Sequence, residues 1–297
     1  MKLTNIFSML GGLALFLYGM NMMSNGLELA AGNKMKTILE KLTSNRILGV
    51  LVGALVTAII QSSSATTVMV VGFVNSGLMS LTSAVWVIMG ANIGTTITGQ
   101  LIAIDITAIA PLIAFIGVAM IVFFKSKKLD AFGSVIGGLG ILFIGMETMS
   151  NAMVPLRTMP EFVGLISKFQ NPFIGILVGA LFTALIQSSS ASVGILQALA
   201  KSGVMTLSSS IYVLFGQNIG TCITSVLASI GTSKNAKRTT IIHLTFNIIG
   251  TVIFVSISML FPFAHLVESI TPNNVAAQIA NVHTIFNVAT TLLLLPI

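Results

Sequence analysis

Residues 47–64 read ILGVLVGALVTAIIQSSS, and residues 173–190 read FIGILVGALFTALIQSSS, identical at 13 of 18 positions. The same offset of 126 residues aligns two further blocks. Gly11-Gly12-Leu13 and Gly19-Met20 answer Gly137-Gly138-Leu139 and Gly145-Met146, and residues 90–98 match 216–224 at 7 of 9 positions. One register serving three separate blocks marks a duplicated chain. Between and around the blocks lie apolar runs near 4–24, 82–104, 107–124, 131–152, 207–230, 240–262 and 275–296. Each approaches the 20 or so apolar residues that a helix needs to cross hydrocarbon.

Composition agrees with membrane burial. Of 297 residues 55% are hydrophobic and only 7% charged, against about 25% charged in ordinary soluble domains. A chain with so little charge cannot cover a water-facing surface, which excludes a soluble enzyme, a disordered scaffold and a secreted disulfide framework. The lone cysteine, Cys222, has no partner for an internal bridge. The net charge of +7 does not point to nucleic acid, because the basic residues sit in short gaps between apolar runs. The first run follows Met1 and Lys2 as a signal peptide would. Its pattern recurs at 137–146, so it is assigned to the fold.

The stretches 47–77 and 172–201 are each interrupted at the centre by Gln-Ser-Ser-Ser. If both are re-entrant hairpins, each repeat makes three crossings and the second copy is inverted. Lys34, Lys36, Lys41, Arg46, Lys125, Lys127, Lys128, Lys234, Lys237 and Arg238 then fall inside. Lys2, Arg157, Lys168 and Lys201 fall outside, in keeping with the positive-inside bias. Four crossings per repeat would instead scatter the basic clusters over both faces. The expected fold is therefore an all-α polytopic membrane protein with two inverted repeats, 1–128 and 129–262, and an additional C-terminal helix at 263–297.

Broken helices survive in a membrane only where protein or a wet cavity satisfies their backbone. Gln61-Ser62-Ser63-Ser64 and Gln187-Ser188-Ser189-Ser190 each precede a new helical run. Such a break exposes N–H donors and the positive end of a helix dipole, which suits an anion. It also exposes carbonyl, hydroxyl and amide oxygens, which suit a hard cation such as Na⁺. Paired interruptions in inverted repeats point to a transporter's central site. A single Ser-Ser-Ser is as often glue between helices, but two copies in register, each behind an amide, favour binding. Gly90-Ala91-Asn92-Ile93-Gly94-Thr95-Thr96 and Gly216-Gln217-Asn218-Ile219-Gly220-Thr221-Cys222 read as a second pair of broken helices completing the cation site. The bland alternative is a tight helix crossing that glycine permits. Cation ligands are expected among Gln61, Ser64, Thr66, Asn92, Thr95, Thr96, Gln187, Ser190, Ser192, Asn218 and Thr221.

His243-Leu244-Thr245-Phe246-Asn247 and His283-Thr284-Ile285-Phe286-Asn287 put histidine and asparagine on one helix face. Two histidines and Cys222 are too few for a metal centre, so hydrogen bonds between helices are expected there. Glu147 is the one carboxylate inside an expected crossing and a second-rank functional candidate. Asp105 and Glu268 read as solvated loop residues. No nucleophile, base and orienting group stand together, so no enzyme is expected.

At the doubled Gln-Ser-Ser-Ser and Asn-Ile-Gly-Thr blocks and the His-x-x-Phe-Asn runs, the chain resembles the type II sodium/phosphate cotransporter family, as a bacterial member represented by its membrane part. The resemblance covers essentially the whole chain. It implies a Na⁺ gradient as driving force, inorganic phosphate as substrate, alternating access and a multi-pass place in the cell membrane. It puts phosphate around Gln61, Ser62, Ser63, Ser64, Gln187, Ser188, Ser189 and Ser190, with Asn92, Thr95, Asn218 and Thr221 lining the region. Animal members carry a His-Asp-x-x-Phe-Asn-like run after the first Asn-Ile-Gly-Thr block, which residues 105–125 lack. Bacterial relatives often continue into a soluble domain resembling the phosphate-uptake regulator, so a chain ending at Leu295-Pro296-Ile297 reads as shortened. Partners expected are phosphate and the bilayer, with no nucleic acid and no organic cofactor. A homo-oligomer and a regulator-like cytoplasmic partner stay open. So do a carrier of another anion such as a carboxylate, a non-transporting phosphate sensor or scaffold, and a channel.

Overall fold

A computed structural model describes residues 2–31, 39, 45–104, 106–124 and 126–296, and among these there is helix and no strand. The helices in order are α1 (Leu3–Ala31), α2 (Arg46–Ile60), α3 (Ser63–Asn75), α4 (Leu81–Ala103), α5 (Ala110–Phe123), α6 (Lys127–Met153) and α7 (Pro160–Ser167). There follow α8 (Pro172–Ile186), α9 (Ser189–Lys201), α10 (Leu207–Gly220), α11 (Ile223–Ala228), α12 (Lys234–Leu260), α13 (Phe263–Ile270) and α14 (Val275–Leu294). The expected basic residues Lys34, Lys36, Lys41 and Lys125, and Asp105, lie outside the described residues.

Lipid is as apolar as leucine, so helices associate through close packing at small residues. α1 and α6 show this. A Cβ added to Gly12 would meet the backbone of Gly145 and Met149. At Gly19 it would meet Gly138 and Leu142, and at Gly26 Ala131 and Val135. Rising numbers on one helix meet falling numbers on the other, so the pair is antiparallel. Gly12 and Gly19 are the repeat mates of Gly138 and Gly145, so the two copies of one helix pack against each other. α5 joins them where Gly117 lies on Gly133 and Gly137.

The second group is built on the hairpins. Gly49 lies on Trp86, Gly53 on Val87, Gly90 on Val50 and Gly94 on Ala54. Numbers rise together, so α2 and α4 run parallel and start at the same end. α3 must therefore carry the chain back to that end, which makes 46–75 a helical hairpin. The second copy repeats the logic, with Gly175 on Tyr212, Gly179 and Gly216 on Val213 and Ile176, and Gly220 on Ala180. Each hairpin turns at a glutamine in the left-handed region, Gln61 at φ 58° and Gln187 at φ 59°. A serine in extended conformation follows, and its side chain caps the next helix.

Among the described residues, five helical segments are long and apolar enough to cross a membrane: Leu3–Ala31, Leu81–Ala103, Lys127–Thr158, Leu207–Ala228 and Lys234–Leu260. A sixth arises if Pro160–Gln170 and Pro172–Ile186, bent by 103°, are counted as one. Seven crossings are expected from the sequence, and two of these fall short. Thr107–Phe123 has 17 residues, and α14 has 20 but carries Gln278, Asn281, His283 and Asn287. α4 also departs from expectation. It is continuous from Leu81 to Ala103 through Asn92 and Thr95, whereas the second copy does break, at Thr221 and Cys222. Within α4 the Asn92 amide donates to Ile88 O and the Thr96 hydroxyl to Ile93 O, so the polar side chains need no break. Its glycines serve instead the close crossing onto α2.

Candidate functional site

The two hairpin tips meet. Ser63 Oγ and Ser189 Oγ, repeat mates, are 3.2 Å apart and buried. These are the first residues of α3 and α9, so two helix N-termini converge on one place. In each, the preceding serine caps the third N–H: Ala65 N donates to Ser62 Oγ at 3.1 Å, and Ala191 N to Ser188 Oγ at 3.2 Å. Each N-terminus carries the equivalent of about +0.5 charge, and no lysine, arginine or carboxylate bonds to either tip among the described residues. Two positive ends held together without a counter-charge repel, so the junction favours an anion.

Hydroxyls extend the junction. Thr98 donates to Gln61 Oε1 at 2.7 Å, which leaves Ser190 to donate to Thr98 Oγ1 at 3.2 Å. Thr95 Oγ1 lies 3.3 Å from Ser189 Oγ and 3.5 Å from Ser190 Oγ. Ser64 donates to Gln187 O at 3.3 Å. Gln61 is 6% exposed, with its amide nitrogen on Ala58 O. The structure thus brings together Gln61, Ser62, Ser63, Ser64, Thr95, Ser188, Ser189 and Ser190 of the expected set. Thr98 is an addition. It lies one turn beyond Thr95, and its mate Thr224 stood in the repeated block as the available signal.

Gln187 is different. Its backbone accepts from Ser64, but its side chain is exposed, so the two glutamines are not equivalent. The asymmetry continues inward. In the first half Thr57 donates to Thr66 Oγ1 at 3.0 Å. Their mates Thr183 and Ser192 are both fully buried and neither hydroxyl has a protein partner. Thr221 Oγ1 and Gln217 Oε1 are likewise buried without partners. Gln217 Nε2 donates to Ser192 O, and Thr183 abuts Gly220, so the four oxygens share the junction of α8, α9 and α10. Buried polar groups are nearly always satisfied, and orphaned buried oxygens on three adjoining helices suit a hard cation. Thr183 and Gln217 are absent from the sequence-based set. Asn92 and Asn218 bond their own helices, through Ile88 O and Leu214 O.

The histidine runs bind helices together. His283 Nε2 lies 3.1 Å from Asn218 Oδ1, His243 Nδ1 3.2 Å from Ser225 Oγ, and Asn247 donates to Cys222 Sγ at 3.3 Å. Glu147 is exposed on α6. The two packing groups touch through hydroxyls near the hairpins. Ser24 donates to Ile60 O at the first tip at 2.5 Å, and its repeat mate Ser150 donates to Ala198 O in α9 at 3.1 Å.

The profile of the Na⁺/Pi-cotransporter family matches residues 15–151 and again 158–271. The chain is 33% identical over 289 residues to YqeW, an uncharacterised protein of Bacillus subtilis, covering 95% of this chain and 91% of that one. It is 27% identical over 294 residues to YjbB of Escherichia coli K12, whose name proposes inorganic phosphate export, spanning 97% of this chain but only 53% of YjbB. Sodium-dependent phosphate transport protein 2A of Rattus norvegicus shares 40% identity over 105 residues, 35% of this chain and 16% of that protein. No solved structure matches.

Proposed function

The chain belongs to the Na⁺/Pi-cotransporter family, and from that membership we propose that it is a sodium-coupled carrier importing inorganic phosphate across the cell membrane by alternating access. The observation that carries the reading is the meeting of the α3 and α9 N-termini at Ser63 and Ser189, where no basic side chain bonds either tip among the described residues. Phosphate would sit among the free N–H groups and hydroxyls of Ser63, Ser64, Ser189 and Ser190, with Gln61, Thr95 and Thr98 around them. Sodium would sit beside it, on Thr183, Ser192, Gln217 and Thr221, offsetting the charge of an anion that is costly to hold at the centre of a bilayer.

In this reading the two halves are inverted repeats. Support comes from the hairpin bases. The first lies with Arg46 and Leu81, and the second is tied through Lys201 to Thr107 and through Arg157 to Ser202 O, beyond the other end of α4. Tips that enter from opposite ends can meet only between them. The unequal glutamines and the unequal contacts of Ser24 and Ser150 fit a carrier caught open to one side. Exchange of the two sets of contacts would open the other.

Uptake of phosphate into proteoliposomes, under an inward Na⁺ gradient and then with K⁺ replacing Na⁺, tests the reading. Uptake only with Na⁺ is expected. Phosphate movement indifferent to Na⁺, or only outward, would retain the anion site and remove the coupling or the direction. Inhibition of that uptake by a carboxylate at concentrations far below those at which unlabelled phosphate inhibits would assign the carrier to another anion.

The sodium site has its own expected result. Thr183→Val removes one oxygen at constant shape and should raise the Na⁺ concentration for half-maximal uptake several-fold, with little change at saturating Na⁺. Thr57→Val, whose hydroxyl already has a partner, should leave that concentration where it is. Equal shifts in both variants would move sodium away from the second half.

A further inference from the structure

At the end of the bundle where α2 and α4 begin and α14 finishes, a groove of about 350 Å³ opens between helices. Its lining includes Arg46, Trp86, Met89, Ile242 and Leu294, so one cation tops an otherwise largely apolar wall. Arg46 is the first residue of α2 and is exposed. Its Nη1 donates to Leu295 O at 3.2 Å and Pro296 O at 2.9 Å, which fastens one side of the guanidinium to the end of α14. A guanidinium carries five N–H donors in a fixed fork, and those on Nε and Nη2 have no partner among the described residues. Arg238 precedes Ile242 by four residues on α12. It therefore stands on the same helix face, one turn nearer the helix start. Arg238 is exposed, and Lys234 and Lys237 share that end of α12.

We propose that this groove holds one anionic phospholipid, its phosphate on Arg46 and Arg238 and an acyl chain along Trp86, Met89, Ile242 and Leu294. The charge is complementary and the position fits. Polybasic ends of membrane helices attract anionic headgroups, and tryptophan favours the headgroup level of a bilayer. The outward neighbours Ile47 and Ile241 are exposed large apolar side chains, so the groove faces hydrocarbon rather than water. An inorganic anion would gain nothing from the apolar wall, whereas a lipid uses both parts. The site lies at the base of the first hairpin and is independent of what the tips bind. Its occupant would brace α2, α4, α12 and α14 together, since each contributes a lining residue or a contact to Arg46.

Trp86 is the chain's only tryptophan, so its fluorescence reports the groove directly. Purified protein is placed in phosphatidylcholine nanodiscs containing a small, equal fraction of bromo-acyl phosphatidylglycerol or bromo-acyl phosphatidylcholine. Bromine quenches tryptophan on contact. Quenching several-fold stronger with the anionic lipid is expected, and the excess should vanish in the R46Q/R238Q double variant while the phosphatidylcholine baseline is kept. That baseline also reports whether the variant retains its fold. Equal quenching by the two lipids in the unmodified protein overturns the proposal without recourse to any variant. So does an excess that survives R46Q/R238Q. Relief of the excess by millimolar inorganic phosphate would assign the arginines to a free anion and overturn the lipid.

Discussion

Gln61→Ala is expected to reduce sodium-dependent phosphate uptake in proteoliposomes by about fivefold to a hundredfold, and Gln187→Ala by much less. The difference follows from burial. Gln61 accepts from Thr98 and donates to Ala58 O in a nearly dry place, and Thr98 continues the chain of hydroxyls to Ser190 of the other hairpin. Removing the amide leaves the Thr98 hydroxyl without its acceptor, a loss of about 1–3 kcal/mol for a buried group. It also cuts the side-chain link that runs from Gln61 through Thr98 to the second tip. About 1.4 kcal/mol is a factor of ten, so the expected loss runs from about fivefold to about a hundredfold. Gln187 holds its position by backbone alone, since its N–H bonds Thr183 O and its carbonyl accepts from Ser64. An alanine there keeps both bonds, and at φ 59° it bears the same left-handed backbone cost as the glutamine it replaces. Equal losses in the two variants would mean that the resting asymmetry has no bearing on the slow step.

How far the sequence carried depended on where the information was local. Gln61 and Gln187 with their serines announced a break, a cap and a new helix in four residues, because each step is a nearest-neighbour preference of the backbone. The glycines of α4 were ambiguous for a physical reason. Gly-x-x-x-Gly around an asparagine serves a break or a close crossing equally well, and only the helix lying opposite decides. Here α2 lies opposite, and α4 runs on. Thr98 and Thr183 were within reach, since each has a threonine mate at the repeat offset, and a shared hydroxyl is costly to keep in lipid without use. The asymmetry of the halves was not within reach at all. Near-identical blocks put Gln61 inside and Gln187 outside, Thr57 paired and Thr183 orphaned, and nothing in 18 residues that match at 13 positions distinguishes them. Outside those blocks the halves do differ in packing: Phe16 of α1 fills the space over Gly194 of the second hairpin, where the first hairpin carries Val68.

The close crossings carry the other large expected effect. Gly90→Val, and its mate Gly216→Val, should each abolish recovery of monodisperse protein from detergent. A Cβ on Gly90 would fall far inside contact distance of Val50 O, and one on Gly216 would fall likewise on Ile176 O. The obstacle is backbone, which cannot swing aside as a side chain can. Overpacking a tight contact costs about 1–3 kcal/mol and sometimes more. Water gives no compensating drive to hold membrane helices together, so the loss falls directly on the α2–α4 and α8–α10 seams. Gly90→Ala should already lower the melting temperature in detergent, with Gly216→Ala lowering it equally because the two seams are copies. Gly72→Ala provides the contrast. That glycine has nothing within 4 Å of an added Cβ and lies within a helix, so alanine should be neutral or stabilising by up to about 1 kcal/mol. If Gly90→Ala melts no lower than Gly72→Ala, α2 and α4 do not pack as closely as described. The parallel pairing that makes 46–75 a hairpin would then lose its basis, since the shared starting end of α2 and α4 is read from those same glycines.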